Sequence, residues 1–185
     1  MSANKRKVIL VTDGDQIAKA AVETAARNIG ARCISCSAGN PTTQSGEELV
    51  NLIKSAPQDP VVVMLDDRGY NGTGRGEEAM AYIAGHPEIQ ILGVLAVASN
   101  TAQVNGCVVD LSVSRDGQII EEPVDKLGRP GDYPLKGDTV ESIDRLDIPL
   151  VVGIGDIGKM DGADDVEKGA PLTTKALQSI LAKNS

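Results

Sequence analysis

Aspartates recur where short apolar runs end. Lys7–Thr12 (KVILVT) runs into Asp13-Gly14-Asp15, and Val61–Leu65 (VVVML) into Asp66-Asp67-Arg68-Gly69. Ser99-Asn100-Thr101 follows the run Ile89–Ala98, and Gly155-Asp156-Ile157-Gly158-Lys159 follows Pro149–Ile154. If these runs are strands of an open parallel sheet, their trailing residues share the carboxyl edge, where such sheets bind ligands. With the first and third strands adjacent, Asp13, Asp15, Asp66 and Asp67 converge on one crevice. Carboxylates held close repel unless a proton or a cation intervenes. A hard cation, Mg²⁺ or Ca²⁺, suits such oxygen ligands, and Asp156 extends the candidate metal set. Taken singly, each aspartate could instead cap a helix; as a set they read as an acidic pocket.

A second group points to anions. Asn71–Gly76 (NGTGRG) opens a helix after the acidic third-strand end, and glycines there let backbone N–H groups approach negative charge. Arg68, Gly74, Arg75, Ser99 and Lys159 are the candidate ligand-binding residues, the arginines suited to a phosphate or carboxylate. The stretch lacks the spacing of a P-loop and follows the third strand, where a dinucleotide fingerprint follows the first. A solvated polar loop is the plainer alternative. Gly155–Asp165 (GDIGKMDGADD) faces the same choice, between cation binding by Asp161, Asp164 and Asp165 and simple helix capping. Cys33-Ile34-Ser35-Cys36 has redox spacing but lies on a strand, whereas a reactive thiolate wants a helix N-terminus. Cys107 has no partner argument. His86, the one histidine, stands before Pro87 in a helix-ending loop, and no Ser-His-Asp or Cys-His arrangement emerges.

The elements that must position these groups alternate along the chain. The reading places strands at Lys7–Thr12, Arg32–Ser35, Val61–Leu65, Ile89–Ala98 and Pro149–Ile154. Helices are expected over Ile17–Ile29 before Gly30, after the capping box Ser45-Gly46-Glu47-Glu48, over Glu77–Ala84, from about Asp138, and over Pro171–Lys183. Cys107–Ile120 alternates around Asp116-Gly117, a hairpin signature. Glu121–Gly137, rich in Pro and Gly, reads as a long surface loop, usually functional at that length. The expected fold is one doubly wound, mostly parallel α/β domain over 1–185, with a hairpin and Pro/Gly-rich loop inserted at 104–137.

The composition narrows the function classes. The chain has 185 residues, 41% hydrophobic, with no Trp or Phe and three tyrosines, so Val, Ile, Leu and Ala must build the core. Scarce aromatics and a net charge of −8 argue against nucleic-acid binding and against attraction to anionic lipid. The longest apolar run, Ile91–Ala98, is eight residues, against the roughly 20 that a spanning helix needs. The basic start, Met1–Lys7, leads straight into a strand and does not read as a secretory signal. Three cysteines do not suggest a disulfide framework, so a soluble protein in a reducing compartment is expected.

Two resemblances sharpen this reading. The order of polar positions resembles a response-regulator receiver domain, with Asp13 and Asp15 after strand one, Asp66 at the phosphoacceptor position, Ser99 after strand four and Lys159 after strand five. The inserted hairpin departs from a plain receiver. Asp-Gly-Asp and Asp-Asp-Arg likewise miss the Glu and D-x-D of topoisomerase-primase metal sites. The second resemblance covers nearly the whole chain. KVILVTDGD, SAGNPT, SGEELV, DPVVVMLDDRGYNGTGRGE, VASNT and DIPLVVGIGDIGKMDGADD resemble the soluble stage V sporulation protein AE family of spore-forming Firmicutes. That resemblance implies a role beside membrane and soluble proteins that move dipicolinic acid, largely as its calcium chelate, in sporulation and germination. It implies a non-enzymatic accessory protein, peripheral to the spore inner membrane through those partners and with no transmembrane insertion of its own. Self-association is a further option. The family has no established catalytic residues to carry over.

Overall fold

The computed structural model describes residues 4–67, 74–99, 106–131, 134–137 and 139–184. Among the described residues seven strands form a single sheet: β1 (Arg6–Val11), β2 (Arg32–Cys33), β3 (Val61–Met64), β4 (Ile89–Val97), β5 (Leu111–Val113), β6 (Ile119–Ile120) and β7 (Val151–Ile154). Their order is β2-β3-β1-β4-β7-β5-β6. All neighbours run parallel except β6, which turns back antiparallel on β5. Every residue of β3 and β7 is buried, as expected of strands covered on both faces.

Helices α1 (Gln16–Asn28) and α4 (Pro171–Lys183) cover one face, with Ala18, Val22, Ala25, Leu177 and Ile180 against Ile9, Met64, Leu95 and Val152. Helices α2 (Gly46–Ser55) and α3 (Arg75–Ala84) cover the other, with Leu49, Ile53, Met80 and Ile83 against Val8, Leu10, Val63 and Val94. This is the doubly wound α/β fold expected. Small side chains on α1 let it lie close to the strands. The Ser45 capping box forms as read, its hydroxyl accepting from Glu48 N–H at 3.1 Å. Gly30, just past the end of α1, adopts φ 73°, a conformation that favours glycine.

The helix expected from about Asp138 does not form. Asp138 lies outside the described residues, and between 139 and 150 the chain makes turns and one 3-10 turn, Ile143–Arg145. Buried Val140 and Ile143, with Leu146 packed against the core, recur every three residues, the period of a 3-10 turn. The second strand is shorter than expected because Ser37 is buried. Its hydroxyl donates to the Ile34 carbonyl and accepts from Met64 N–H, which curls Ser35–Ser37 into a 3-10 turn.

The hairpin is present, with Ser112 opposite Ile120 and Gly117 at φ 80° in its turn, but it is shorter than the alternation implied. Cys107 bridges Leu135 instead, and both are buried in the core beside Val109. The segment expected as surface loop is therefore anchored at Val124 and Leu135. Among the described residues no helix is long and apolar enough to cross a membrane.

Candidate functional site

The carboxyl ends of β1, β3, β4 and β7 meet at one edge of the sheet. Thr12, just past β1, accepts from Val97 N–H at 2.9 Å and ties β1 to the end of β4. The chain then turns sharply. Asp13 Oδ1 accepts from Gly14 N–H at 2.8 Å, and Asp15 caps α1 by accepting from Ala18 N–H at 2.8 Å. Gly14 has no room for a side chain, since a Cβ would press on the Gly39 backbone and stand 3.3 Å from Asp66 Cβ. Asp66 is thereby packed against the β1 turn. Its N–H donates to Thr42 Oγ1 and its carbonyl accepts from Thr42 N–H, both at 2.8 Å, so the loop after β2 is fastened across the end of β3.

On the far side, Lys159 stands 3.5 Å from Asp156 and 3.7 Å from Asp15. One ammonium therefore spans the ends of β1 and β7. Burial, reinforced by the carboxylates of Asp15 and Asp66, pushes Asp13 up to about 7, against the pull of the Asp15 and Gly14 N–H groups. Burial also raises Asp156 despite Lys159 beside it. Burial opposes the charge on Lys159, but Asp156, Asp15 and Asp13 together hold its pKa above the ordinary value. Among the described residues the crevice thus joins Asp13, Asp15, Asp66 and Asp156 to Lys159, with Asp13 poised to exchange a proton near neutral pH.

Not every residue expected here arrives. Asp67 turns away to α3, where its Oδ1 accepts from Gly76 N–H at 2.6 Å. Gly74 and Gly76 make that docking possible: a Cβ on Gly74 would overlap the Asp67 carboxylate, and one on Gly76 would press within 2.9–3.0 Å of the Asp66 backbone. Arg75 reaches the Thr43 carbonyl at 2.9 Å. Arg68 lies outside the described residues, as do Asn71–Thr73 of the proposed anion loop. Ser99, at the end of β4, donates its N–H to the Lys136 carbonyl at 3.0 Å. Among the described residues no group of three or more His, Cys, Asp or Glu side chains is arranged to hold a metal ion.

The Gly/Asp stretch after β7 behaves as capping. Asp164, fully buried, accepts from the N–H groups of Gly158, Leu172 and Thr173 and from the Thr173 hydroxyl, at 2.5–2.9 Å. Asp165 caps the next 3-10 turn, and Asp161 pairs with Arg115 at 3.4 Å. The three cysteines are free. Burial pushes Cys33 up to about 11 and Cys107 to about 12, far from thiolate chemistry at neutral pH.

Sequence reasoning missed two features. Glu77 is buried, its pKa raised by desolvation and by Asp67 and Glu141, with the Ser142 N–H and Arg145 pulling the other way. It looks like an ordinary first-turn acid in the sequence. The second is a cavity of about 360 Å³ beyond β4, lined by Ser99, Val124, Lys126, Arg129 and Lys136 among others. The lysines interleaved with Pro and Gly in that loop were the available signal.

The family model of stage V sporulation protein AE1 matches residues 7–184 of this chain. No curated protein and no solved structure matches.

Proposed function

The chain belongs to the stage V sporulation protein AE family, and from that premise we propose that it is a non-enzymatic accessory subunit of the dipicolinic acid uptake and release machinery of the spore. The observation that carries the reading is the family match, which spans the whole folded domain from β1 to the end of α4. In this reading the protein acts through the membrane and soluble proteins of the same transport set, held at the inner membrane by them. Exposed Val108 and Ile119, both in the segment between β4 and β7, are the apolar side chains it would offer to such a partner.

The test is genetic and biochemical. Spores lacking the protein should load or release less dipicolinate than complemented spores, measured by terbium fluorescence. The protein should also fractionate with the inner membrane only when the partner membrane proteins are present. Unchanged loading, release and fractionation would overturn the proposal.

A second reading draws on one specific arrangement: Asp66 packed against the Asp13 turn, with Lys159 across the crevice. It is a Mg²⁺-dependent phosphoryl-transfer or receiver-like site with Asp66 as acceptor. Incubation with a small phosphodonor and Mg²⁺ should then add one phosphoryl group to wild type and none to Asp66→Asn. Intact mass spectrometry showing no adduct and no donor hydrolysis removes this reading.

A further inference from the structure

Residues 139–146 stand where the sequence pattern asks for a helix, and they gather strained and unsatisfied groups. Val140 and Ile143 are buried in the core that holds Val94, Val151, Met80 and Ile83, and Leu146 packs against it. The backbone closes only short turns: Ile143 N–H donates to Val140, Arg145 N–H to Ser142 and Leu146 N–H to Ile143, each at 3.1 Å. Bonds over three residues have poorer geometry than those of an α-helix. Thr139, which opens the segment, has φ 65°, a left-handed backbone that a β-branched residue rarely adopts. It is 4% exposed, and its hydroxyl is buried without a hydrogen-bond partner. The Ser142 hydroxyl is likewise buried and unpartnered.

What holds the segment from outside is modest. The Glu77 carboxylate accepts from Ser142 N–H, but Glu77 is itself buried, and water would solvate its charge better. Toward the other end, Asp144 accepts from Val108 N–H at 3.1 Å. Both residues are exposed, so water competes for that bond. The side chains of Val140 and Ile143 therefore pull the segment shut, while the left-handed threonine and the unsolvated polar groups push it open. Such features gather where a segment has a second arrangement within reach.

We propose that residues 139–146 form a strap that opens from the sheet as one unit, in exchange with the closed arrangement, while the sheet and its helices stay folded. In the open form Thr139 leaves the left-handed region, both hydroxyls and Glu77 reach water, and Val140 and Ile143 lose their cover. The inference stands on the strap alone and does not depend on the transport role. It is tested on the unmutated full chain by amide hydrogen exchange, followed by NMR and corrected for intrinsic rates. The N–H groups of Ile143, Arg145 and Leu146 should share one opening constant. That constant should be at least about tenfold larger than those of Leu65 and Thr12, whose N–H groups bond Val11 and Leu95 within the sheet. Low urea should raise the strap constant only slightly and the sheet constants steeply, because opening uncovers few residues. Ser142→Ala removes a buried hydroxyl that has no partner, so the strap constant should fall about threefold or more. Strap amides that exchange at the sheet's constant, follow urea as steeply as the sheet, or open independently of one another would overturn the proposal. So would an unchanged or larger strap constant in Ser142→Ala.

Discussion

Asp13 and Asp164 both stand in Gly/Asp-rich turns that follow a strand, and the fold treats them in opposite ways. Asp164 is completely buried, yet four donors reach it and it joins the Gly158 turn to the first turn of α4. Asp13 is only half-buried, accepts from two neighbouring N–H groups, and faces the charges of Asp15 and Asp66. Burial alone therefore does not decide what a carboxylate does. A carboxylate surrounded by donors is part of the scaffold. One that is desolvated with few donors, and with other carboxylates beside it, is left with a proton to gain or lose, and that makes it available for function.

The strongest way to break this contrast is Asp164→Ala. It strands buried N–H groups of Leu172 and Thr173 and should cost about 3–5 kcal/mol in urea unfolding. Asp164→Asn, which keeps one acceptor oxygen, should cost about 2 kcal/mol. A loss below half a kcal/mol for the alanine variant would show that the turn holds without its cap.

Gly76→Ala probes the third acidic turn, where α3 is docked on Asp66 and Asp67. A Cβ there meets the Asp66 backbone, which Thr42 already holds by two hydrogen bonds, so about 1–3 kcal/mol should be lost.

Asp13 carries the opposite sign. Its pKa is about 7 in the folded state against an ordinary 3.8, so between those values the native state holds a proton that the unfolded chain has released. Stability from this group is therefore full below about pH 4, falls as pH rises toward 7, and is level above it. Three units correspond to at most about 4 kcal/mol, and solvent screening at a half-buried site reduces that to about 1–2 kcal/mol. Asp13→Asn should stabilise the protein by that amount at pH 8 and by almost nothing at pH 4, as read by denaturant titrations across the range.

The smallest effect sharpens the comparison rather than breaking it. Lys159→Met removes a partly exposed cation, so stability should change by no more than about 1 kcal/mol. The Asp13 midpoint, followed by carboxyl NMR, should nevertheless move upward. An unmoved midpoint would separate Lys159 from the acidic crevice.

Most of the framework was readable because its periods are clear. VVVML is buried throughout, KVILVT from Val8 onward and the ten residues ending at Ala98 except at Gln90, so their apolar character is nearly unbroken, and Ser45 with Glu48 announces α2. The 139–150 stretch was misread because apolar residues at every third position satisfy a helical pattern about as well as a 3-10 one. Its outcome depended on Val140, Ile143 and Leu146 finding the core. Of the acids, Asp13, Asp15, Asp66 and Asp156 were legible as strand-end residues on one edge. The departure of Asp67 was not, because it follows from how closely Gly74 and Gly76 let α3 approach. The cavity beyond β4 was hidden for a similar reason. Lys126 and Lys136 are ten positions apart, and the bonds of their carbonyls to Asp156 N–H and Ser99 N–H fasten both to the carboxyl edge of the sheet.

The strand order also sets a timetable. β1 leaves the ribosome first, yet it lies in the middle of the sheet between β3 and β4, and the bond from Thr12 to the Leu95 carbonyl closes over 83 positions of chain. Until β4 has been made, one hydrogen-bonding edge of β1 has no partner and the alanine face of α1 has only part of its floor. Such long-range closure slows folding, and the sheet and its helical cover are complete only once β7 and α4 have followed β4. The nascent chain thus carries an open, apolar strand edge from the making of β1 until that of β4, which makes this a protein whose yield should respond to elongation rate and to chaperones that shield strand edges.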